Sequence, residues 1–119
     1  MVKEKADGCW SLPGGWADLY DSPTEAILKE TTEEAGAKIK IMGIVAFLHR
    51  TPFKTPTSVP EYVLVFKAEF VEFIGEHDHE ILTVKWVDPY NLPPLSHKVT
   101  KHEVERMINA ALHDKTIFD

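Results

Sequence analysis

Residues 15–37, GWADLYDSPTEAILKETTEEAGA, decide the fold of this chain because they contain a complete helix signal and a dense group of acids. Glu30, Glu33 and Glu34 fall within five residues. Positions i, i+3 and i+4 of a helix are neighbours on its surface, so three carboxylates at this spacing repel one another. Hard divalent cations bind carboxylate oxygens and would relieve that repulsion. The segment therefore suggests a metal site on a helix, although a cluster of glutamates on an arbitrary helix is more often a solvated face.

The two ends of this helix are marked by residues with capping properties. Ser22 can cap the helix, Pro23 suits the first helical position, and Glu25 has the spacing of a capping box. Gly36 suits a left-handed residue that ends the helix. We therefore expect a helix from Pro23 to about Ala35, with the three glutamates in its second half.

The rest of the chain alternates β-rich segments with one more helix. Strands are expected at about 9–12, 38–49, 61–73 and 80–87 from their apolar and β-branched content. A second helix is expected from Thr100 to about His113, because Thr100 and Glu103 again have capping-box spacing. This order predicts an α/β fold with a mixed β-sheet sandwiched between helices, as a single domain over residues 1–119.

Composition excludes several classes of function. The chain is 44% hydrophobic and 27% charged, which is typical of a folded globular protein. Its net charge of −6, without a basic stripe, argues against binding a nucleic acid polymer. No apolar run is long enough for a membrane span, and the single cysteine, Cys9, fits a reducing compartment. We therefore expect a cytoplasmic protein that does not bind membranes.

Residues 15–37 resemble the Nudix box, G-x5-E-x7-R-E-U-x-E-E-x-G-U, in which U is an apolar residue. The matching positions are Gly15, Glu30, Glu33, Glu34, Gly36 and Ala37. The preceding run WSLPGGW at 10–16 and the LPPL connector at 92–95 also resemble the family. Asp21, Lys29 and Thr31 depart from the pattern, where it has a glutamate, an arginine and an apolar residue. These departures bear on rate and metal affinity more than on the fold.

The resemblance implies hydrolysis of a nucleoside diphosphate linked to another group X, with Mg²⁺ or Mn²⁺ as cofactor. The approach to the box and the LPPL connector look most like members that act on ADP-ribose or CDP-choline. A Nudix-like domain that binds a nucleotide without cleaving it is the alternative. Nudix domains usually place strands ahead of the glycine pair, and this chain offers only about one short hairpin there. We therefore expect either an N-terminal truncation or a partner chain that covers the gap, as in a homodimer.

Roles for the box residues follow from the resemblance and from helical spacing. Glu30 and Glu34 are expected as the main metal ligands, since i and i+4 share one face. The carbonyl of Gly15 is a further candidate ligand, because glycine permits close approach of the backbone. Glu33 is expected as a third ligand or as the base, alongside Glu34 in catalysis. Lys29 stands four residues before Glu33 and is expected to orient it.

The remaining candidates lie outside the box. Glu80 is expected as a further ligand or catalytic base because it precedes a strand on the loop side, although acids are common there. Arg50 and Lys54 are expected to contact phosphate. Trp16 and Phe53 are expected to stack on the base of the substrate.

Overall fold

The computed structural model describes residues 1–50 and 59–119, which form two helices and two three-stranded sheets. The strands are β1 (Val2–Glu4), β2 (Trp10–Ser11), β3 (Ala37–Arg50), β4 (Glu61–Phe73), β5 (Ile81–Val84) and β6 (Ile117–Phe118). The helices are α1 (Pro23–Ala35) and α2 (Lys101–Leu112). Within the described ranges, no helix is long and apolar enough to cross a membrane. The predicted α/β class is confirmed, with the strands divided between two sheets.

The two sheets differ in strand direction. The first has the order β2-β1-β5, with antiparallel neighbours throughout. The second has the order β4-β3-β6, in which β3 and β4 are antiparallel and β3 and β6 are parallel. Strands β1 and β6 were not expected from the sequence, because two or three residues carry too little pattern. Strand β5 is shorter than the predicted 80–87, because its pairing with β1 extends only from Ile81 to Val84.

Both ends of α1 are formed as the sequence predicts. Ser22 Oγ accepts a hydrogen bond from the Glu25 N–H at 3.2 Å, and the Glu25 carboxylate accepts one from the Ser22 N–H at 3.3 Å. Gly36 ends the helix in the left-handed region, with φ of 60°. A Cβ at this position would lie 2.4 Å from the carbonyl oxygen of Gly75, so a side chain is excluded here for two reasons. The end of α1 is thus locked against the segment after β4.

Two buried clusters hold the helices against β3. One joins β3 to α2 and consists of Val45, Ala46, Leu48, Met107 and Ala110. The other joins α1, β1, β3 and β5 and consists of Val2, Ala35, Ala37 and Ile81. Thr31, at a position where the family pattern has an apolar residue, is only 6% exposed. The second cluster fixes the acid-rich half of α1 relative to the sheet that carries β1.

Candidate active site

The glycine pair after β2 lies directly against two glutamates of α1. The backbone N–H of Gly14 donates to Glu34 Oε2 at 3.1 Å. A Cβ on Gly15 would lie 3.2 Å from the carboxyl carbon of Glu30. The absence of a side chain at Gly15 therefore makes room for that carboxylate. The structure thus brings together Gly15, Glu30 and Glu34, three residues that were predicted to bind metal.

The electrostatic surroundings of Glu30 and Glu34 favour a bound cation. Burial raises the pKa of Glu34 to about 7; the Gly14 N–H opposes this rise and the charge of Glu30 adds to it. Burial also raises the pKa of Glu30, with a further contribution from Glu33. Each carboxylate is therefore costly to ionise, because it is partly desolvated and stands beside another negative charge. A divalent cation would offset both costs, so the donor set fits such an ion chemically.

The described residues supply few side-chain metal ligands at the Glu30–Glu34 site. Within residues 1–50 and 59–119, no three acidic, histidine or cysteine side chains already surround a common metal position. Mg²⁺ commonly binds through one or two carboxylates and completes its shell with waters and phosphate oxygens. Glu30 and Glu34 satisfy that requirement, and the remaining ligands would come from solvent, backbone and substrate.

The segment before β5 brings Glu80 towards the last turns of α1. The backbone N–H of Asp78 donates to the carbonyl of Glu33 at 2.7 Å. The Glu80 N–H donates to Asp78 Oδ1 at 3.3 Å, and the Glu80 carbonyl accepts from the Lys5 N–H at 2.9 Å. Residues 78–80 therefore connect α1 to β1. Both Glu33 and Glu80 are exposed, and their roles as ligand or base stay predictions.

Lys29 makes contacts that differ from the predicted one. Its ammonium forms ion pairs with Asp18 and, at 3.9 Å, with Asp21. Asp18 raises the pKa of Lys29, first through its hydrogen bond and then through its charge. In the described part of the chain, no ion pair joins Lys29 to Glu33. The structure therefore shows Lys29 holding the loop before α1; the charge of Glu33 also contributes to the raised pKa of Lys29, and the orienting role stays a prediction.

Arg50 is enclosed by two carboxylates. Its Nε and Nη2 donate to the two oxygens of Glu103 at 3.1 and 3.0 Å, and its Nη1 lies 3.6 Å from a Glu61 oxygen. The Arg50 side chain is 12% exposed. It joins the end of β3 to the start of β4 and to α2, and its contact with phosphate stays a prediction.

The other predicted substrate contacts lie on loops. Trp16 follows Gly15 directly in the sequence and is 65% exposed, so its indole is accessible to solvent. Phe53 and Lys54 lie outside the described residues. The stacking role of Trp16 remains a prediction that its exposure supports.

The sequence did not predict an ion pair between Glu4 and Lys98, whose charges act on Glu34. Glu4 is 4% exposed, accepts a hydrogen bond from Ser11 Oγ at 2.9 Å and lies 3.1 Å from the Lys98 ammonium. Both charges act on Glu34, where Glu4 raises the pKa and Lys98 lowers it. The two residues are 94 positions apart and their neighbours carry no motif, so only the folded chain reveals the pair.

Comparison with known proteins links the whole chain to one family. A family model described as the NUDIX domain matches residues 1–107. A curated relative from Bacillus subtilis (strain 168), named "Putative ADP-ribose pyrophosphatase YjhB", is 32% identical over 123 residues, which cover 100% of this chain and 59% of the relative. A second from the same organism, named "Putative 8-oxo-dGTP diphosphatase", is 28% identical over 111 residues, which cover 93% of this chain and 71% of that protein.

Solved structures agree with these sequence matches. A UDP-X diphosphatase superposes with a TM-score of 0.85 at 28% identity, covering 99% of this chain and 59% of that one. An ADP-ribose pyrophosphatase from Streptococcus suis 89-1591 superposes with a TM-score of 0.80 at 29% identity, covering 99% of this chain and 87% of that one. The chain thus spans 59% of the length of two of these four proteins.

Proposed function

Since this chain belongs to the Nudix family, we propose that it is a metal-dependent hydrolase that cleaves the diphosphate linkage of a nucleoside diphosphate derivative. The observation that carries this proposal is the contact of the glycine pair with Glu30 and Glu34. Two partly buried carboxylates with raised pKa values, beside an exposed backbone loop, are suited to hold a divalent cation and a phosphate together.

The residues would divide the work as follows. Glu30 and Glu34 would hold Mg²⁺ or Mn²⁺, with the carbonyl of Gly15 as a further ligand. When bound, such an ion neutralises phosphate charge and lowers the pKa of a coordinated water. The Gly14 N–H keeps the Glu34 carboxylate in place. Glu33, exposed on the same helix, would take the proton of the attacking water.

The bond changes are those of a phosphoanhydride hydrolysis. Water attacks one phosphorus, the bond from that phosphorus to the bridging oxygen breaks, and two phosphate monoesters leave. Glu80 is the second candidate for the base, because its segment is hydrogen-bonded to the turn that carries Glu33.

ADP-ribose is the first substrate to test. Two of the compared proteins carry that activity in their names, and a third is named for UDP-linked substrates. CDP-choline contains the same nucleoside diphosphate linkage and belongs in the same panel. Trp16 would stack on the base. A homodimer and a cytoplasmic location remain predictions from the sequence.

A nucleotide-binding domain without hydrolytic activity is the second candidate. The ion pairs of Lys29 favour it, because they join this residue to Asp18 and Asp21, and among the described residues no ion pair joins Lys29 to Glu33. Loss of an oriented base would reduce the rate more than the affinity for nucleotide.

A substrate panel separates the two candidates. The protein is incubated with Mg²⁺ and, separately, with ADP-ribose, CDP-choline, a UDP-sugar and 8-oxo-dGTP, and products are measured by phosphorus NMR. We expect ADP-ribose to give AMP and ribose 5-phosphate, and EDTA to stop the reaction. Nucleotide binding without product from any compound would contradict the hydrolase and support the binding domain.

A further inference from the structure

Glu4 places a buried carboxylate next to the proposed metal site. Its side chain lies in the first sheet and depends on Ser11 Oγ and the Lys98 ammonium as partners. A buried carboxylate without a partner strongly destabilises a protein. Glu4 therefore favours conformations in which the Lys98 ammonium stays within ion-pair distance. The ammonium of Lys98 is therefore held at a defined place.

The backbone before α2, which carries Lys98, is also fixed. Trp10 donates its N–H to the Pro94 carbonyl at 2.9 Å and accepts from the Ser96 N–H at 2.7 Å. The Asp7 carboxylate accepts from Ser96 Oγ at 2.8 Å and from the His97 N–H at 3.1 Å. Four hydrogen bonds thus join this segment to the β1–β2 hairpin, which gives Lys98 the backbone support that a binding residue needs.

Lys98 keeps hydrogen-bonding capacity after its pairing with Glu4. An ammonium has three N–H donors, and among the described residues Glu4 is the one carboxylate within ion-pair distance of Lys98. The Lys98 side chain is 47% exposed. Ser96, two residues before Lys98, donates its N–H to the carbonyl of Trp10 on β2, and β2 leads into Gly14, whose N–H donates to Glu34.

The two other candidate cations among the described residues are less available. Lys29 is paired with two aspartates, and the Arg50 guanidinium is enclosed by Glu61 and Glu103. Of the three, Lys98 combines a single carboxylate partner among the described residues with a backbone segment that is hydrogen-bonded to β2, the strand that leads into the glycine pair.

We infer that Lys98 is a substrate-binding residue whose ammonium, positioned by Glu4, donates to a phosphate oxygen of the nucleoside diphosphate. This inference rests on the proposed function, because it takes the diphosphate to lie at Glu30 and Glu34. The charges of Glu4 and Lys98 cancel, so the pair would not repel a bound cation. The N–H groups of Lys98 that Glu4 does not use would donate to the anionic substrate.

The test measures ADP affinity by calorimetry in the presence of Mg²⁺. Lys98→Met alone would leave Glu4 buried and unpaired, so the informative comparison is the double variant Glu4→Gln/Lys98→Met against Glu4→Gln. We expect the double variant to bind ADP about 10- to 100-fold more weakly than Glu4→Gln, which corresponds to one lost charge-assisted hydrogen bond. Lys101→Met, which removes an exposed lysine paired with Glu105 at the start of α2, should leave ADP affinity unchanged.

Mg²⁺ affinity in the absence of nucleotide distinguishes binding from a structural role. The double variant removes one positive and one negative charge, so we expect its affinity for Mg²⁺ alone to match that of the unchanged protein. Equal ADP affinity in Glu4→Gln and the double variant would overturn the inference, and so would a parallel loss of ADP and Mg²⁺ binding. Failure of the unchanged protein to bind ADP would overturn it as well. Binding of ADP without hydrolysis of any derivative would contradict the proposed function alone.

Discussion

Replacing Glu34 with glutamine should stabilise the metal-free protein at alkaline pH and abolish its stabilisation by Mg²⁺. Burial raises the pKa of this carboxyl from 4.5 to about 7 in the folded chain. As pH rises above 4.5, the unfolded chain loses this proton before the folded chain does. The free energy of unfolding therefore falls between pH 4.5 and about 7 and then stays level. Glutamine does not ionise, and its oxygen can still accept from the Gly14 N–H.

The size of the effect follows from the pKa of Glu34. A rise from 4.5 to about 7 corresponds to about 3 kcal/mol. Solvent screens part of this cost because the carboxylate is half-buried, so we expect a gain of about 1 to 2 kcal/mol at pH 8 and almost none at pH 4.5. For a domain of this size, the gain corresponds to a rise in Tm of about 3 to 8 °C.

Urea denaturation at pH 5 and pH 8, with EDTA and with Mg²⁺, measures both parts of this prediction. Glu69→Gln, which changes an exposed carboxylate on β4, is the matched control and should have no effect. A Glu34→Gln variant that gains no stability at pH 8 in EDTA would show that burial does not raise the pKa of Glu34. Equal stabilisation of this variant and the unchanged protein by Mg²⁺ would show that Glu34 is not a metal ligand.

Three further predictions use the contacts of glycines and one arginine. Gly15→Ala should weaken Mg²⁺ binding about tenfold in calorimetry, because its Cβ would lie 3.2 Å from the Glu30 carboxyl group and would displace this ligand. Gly14→Ala is the control, since its Cβ would meet open space, and it should bind Mg²⁺ normally. Gly36→Ala should lower the free energy of unfolding by about 3 kcal/mol or more in urea denaturation, because its φ is left-handed and its Cβ would lie 2.4 Å from the Gly75 carbonyl oxygen. Gly8→Ala is the control with a left-handed φ and no clash, and it should lower this free energy by about 1 kcal/mol. Arg50→Met should cost about 3 kcal/mol because it removes the cation that faces the Glu61 and Glu103 carboxylates, with the KM for ADP-ribose unchanged; a raised KM at equal stability would instead support phosphate binding.

Local signals made the helices predictable. The hydrogen bonds of a capping box join residues three positions apart, so Ser22 with Glu25, and Thr100 with Glu103, could be identified from spacing alone. Gly36 was identified as a stop for the same reason, because its left-handed backbone is a property of one residue.

Contacts between distant segments could not be predicted in this way. Strand β1 exists because it pairs with β2 and β5, and its three residues carry no pattern of their own. The Glu4–Lys98 pair and the partners of Arg50 depend on that assembly. Lys29 was expected to contact Glu33 from helical spacing, but the loop before α1 supplies Asp18 as a nearer partner.

The most direct test of the central claim, that Glu30 and Glu34 form the metal site of a diphosphate hydrolase, is the rate of ADP-ribose hydrolysis at saturating Mg²⁺. We expect AMP and ribose 5-phosphate from the unchanged protein only when Mg²⁺ is present. Because a metal ion contributes several kcal/mol to such a reaction, Glu34→Gln should be slower by about 100-fold or more. A Glu34→Gln variant that hydrolyses ADP-ribose at the full rate would contradict the account.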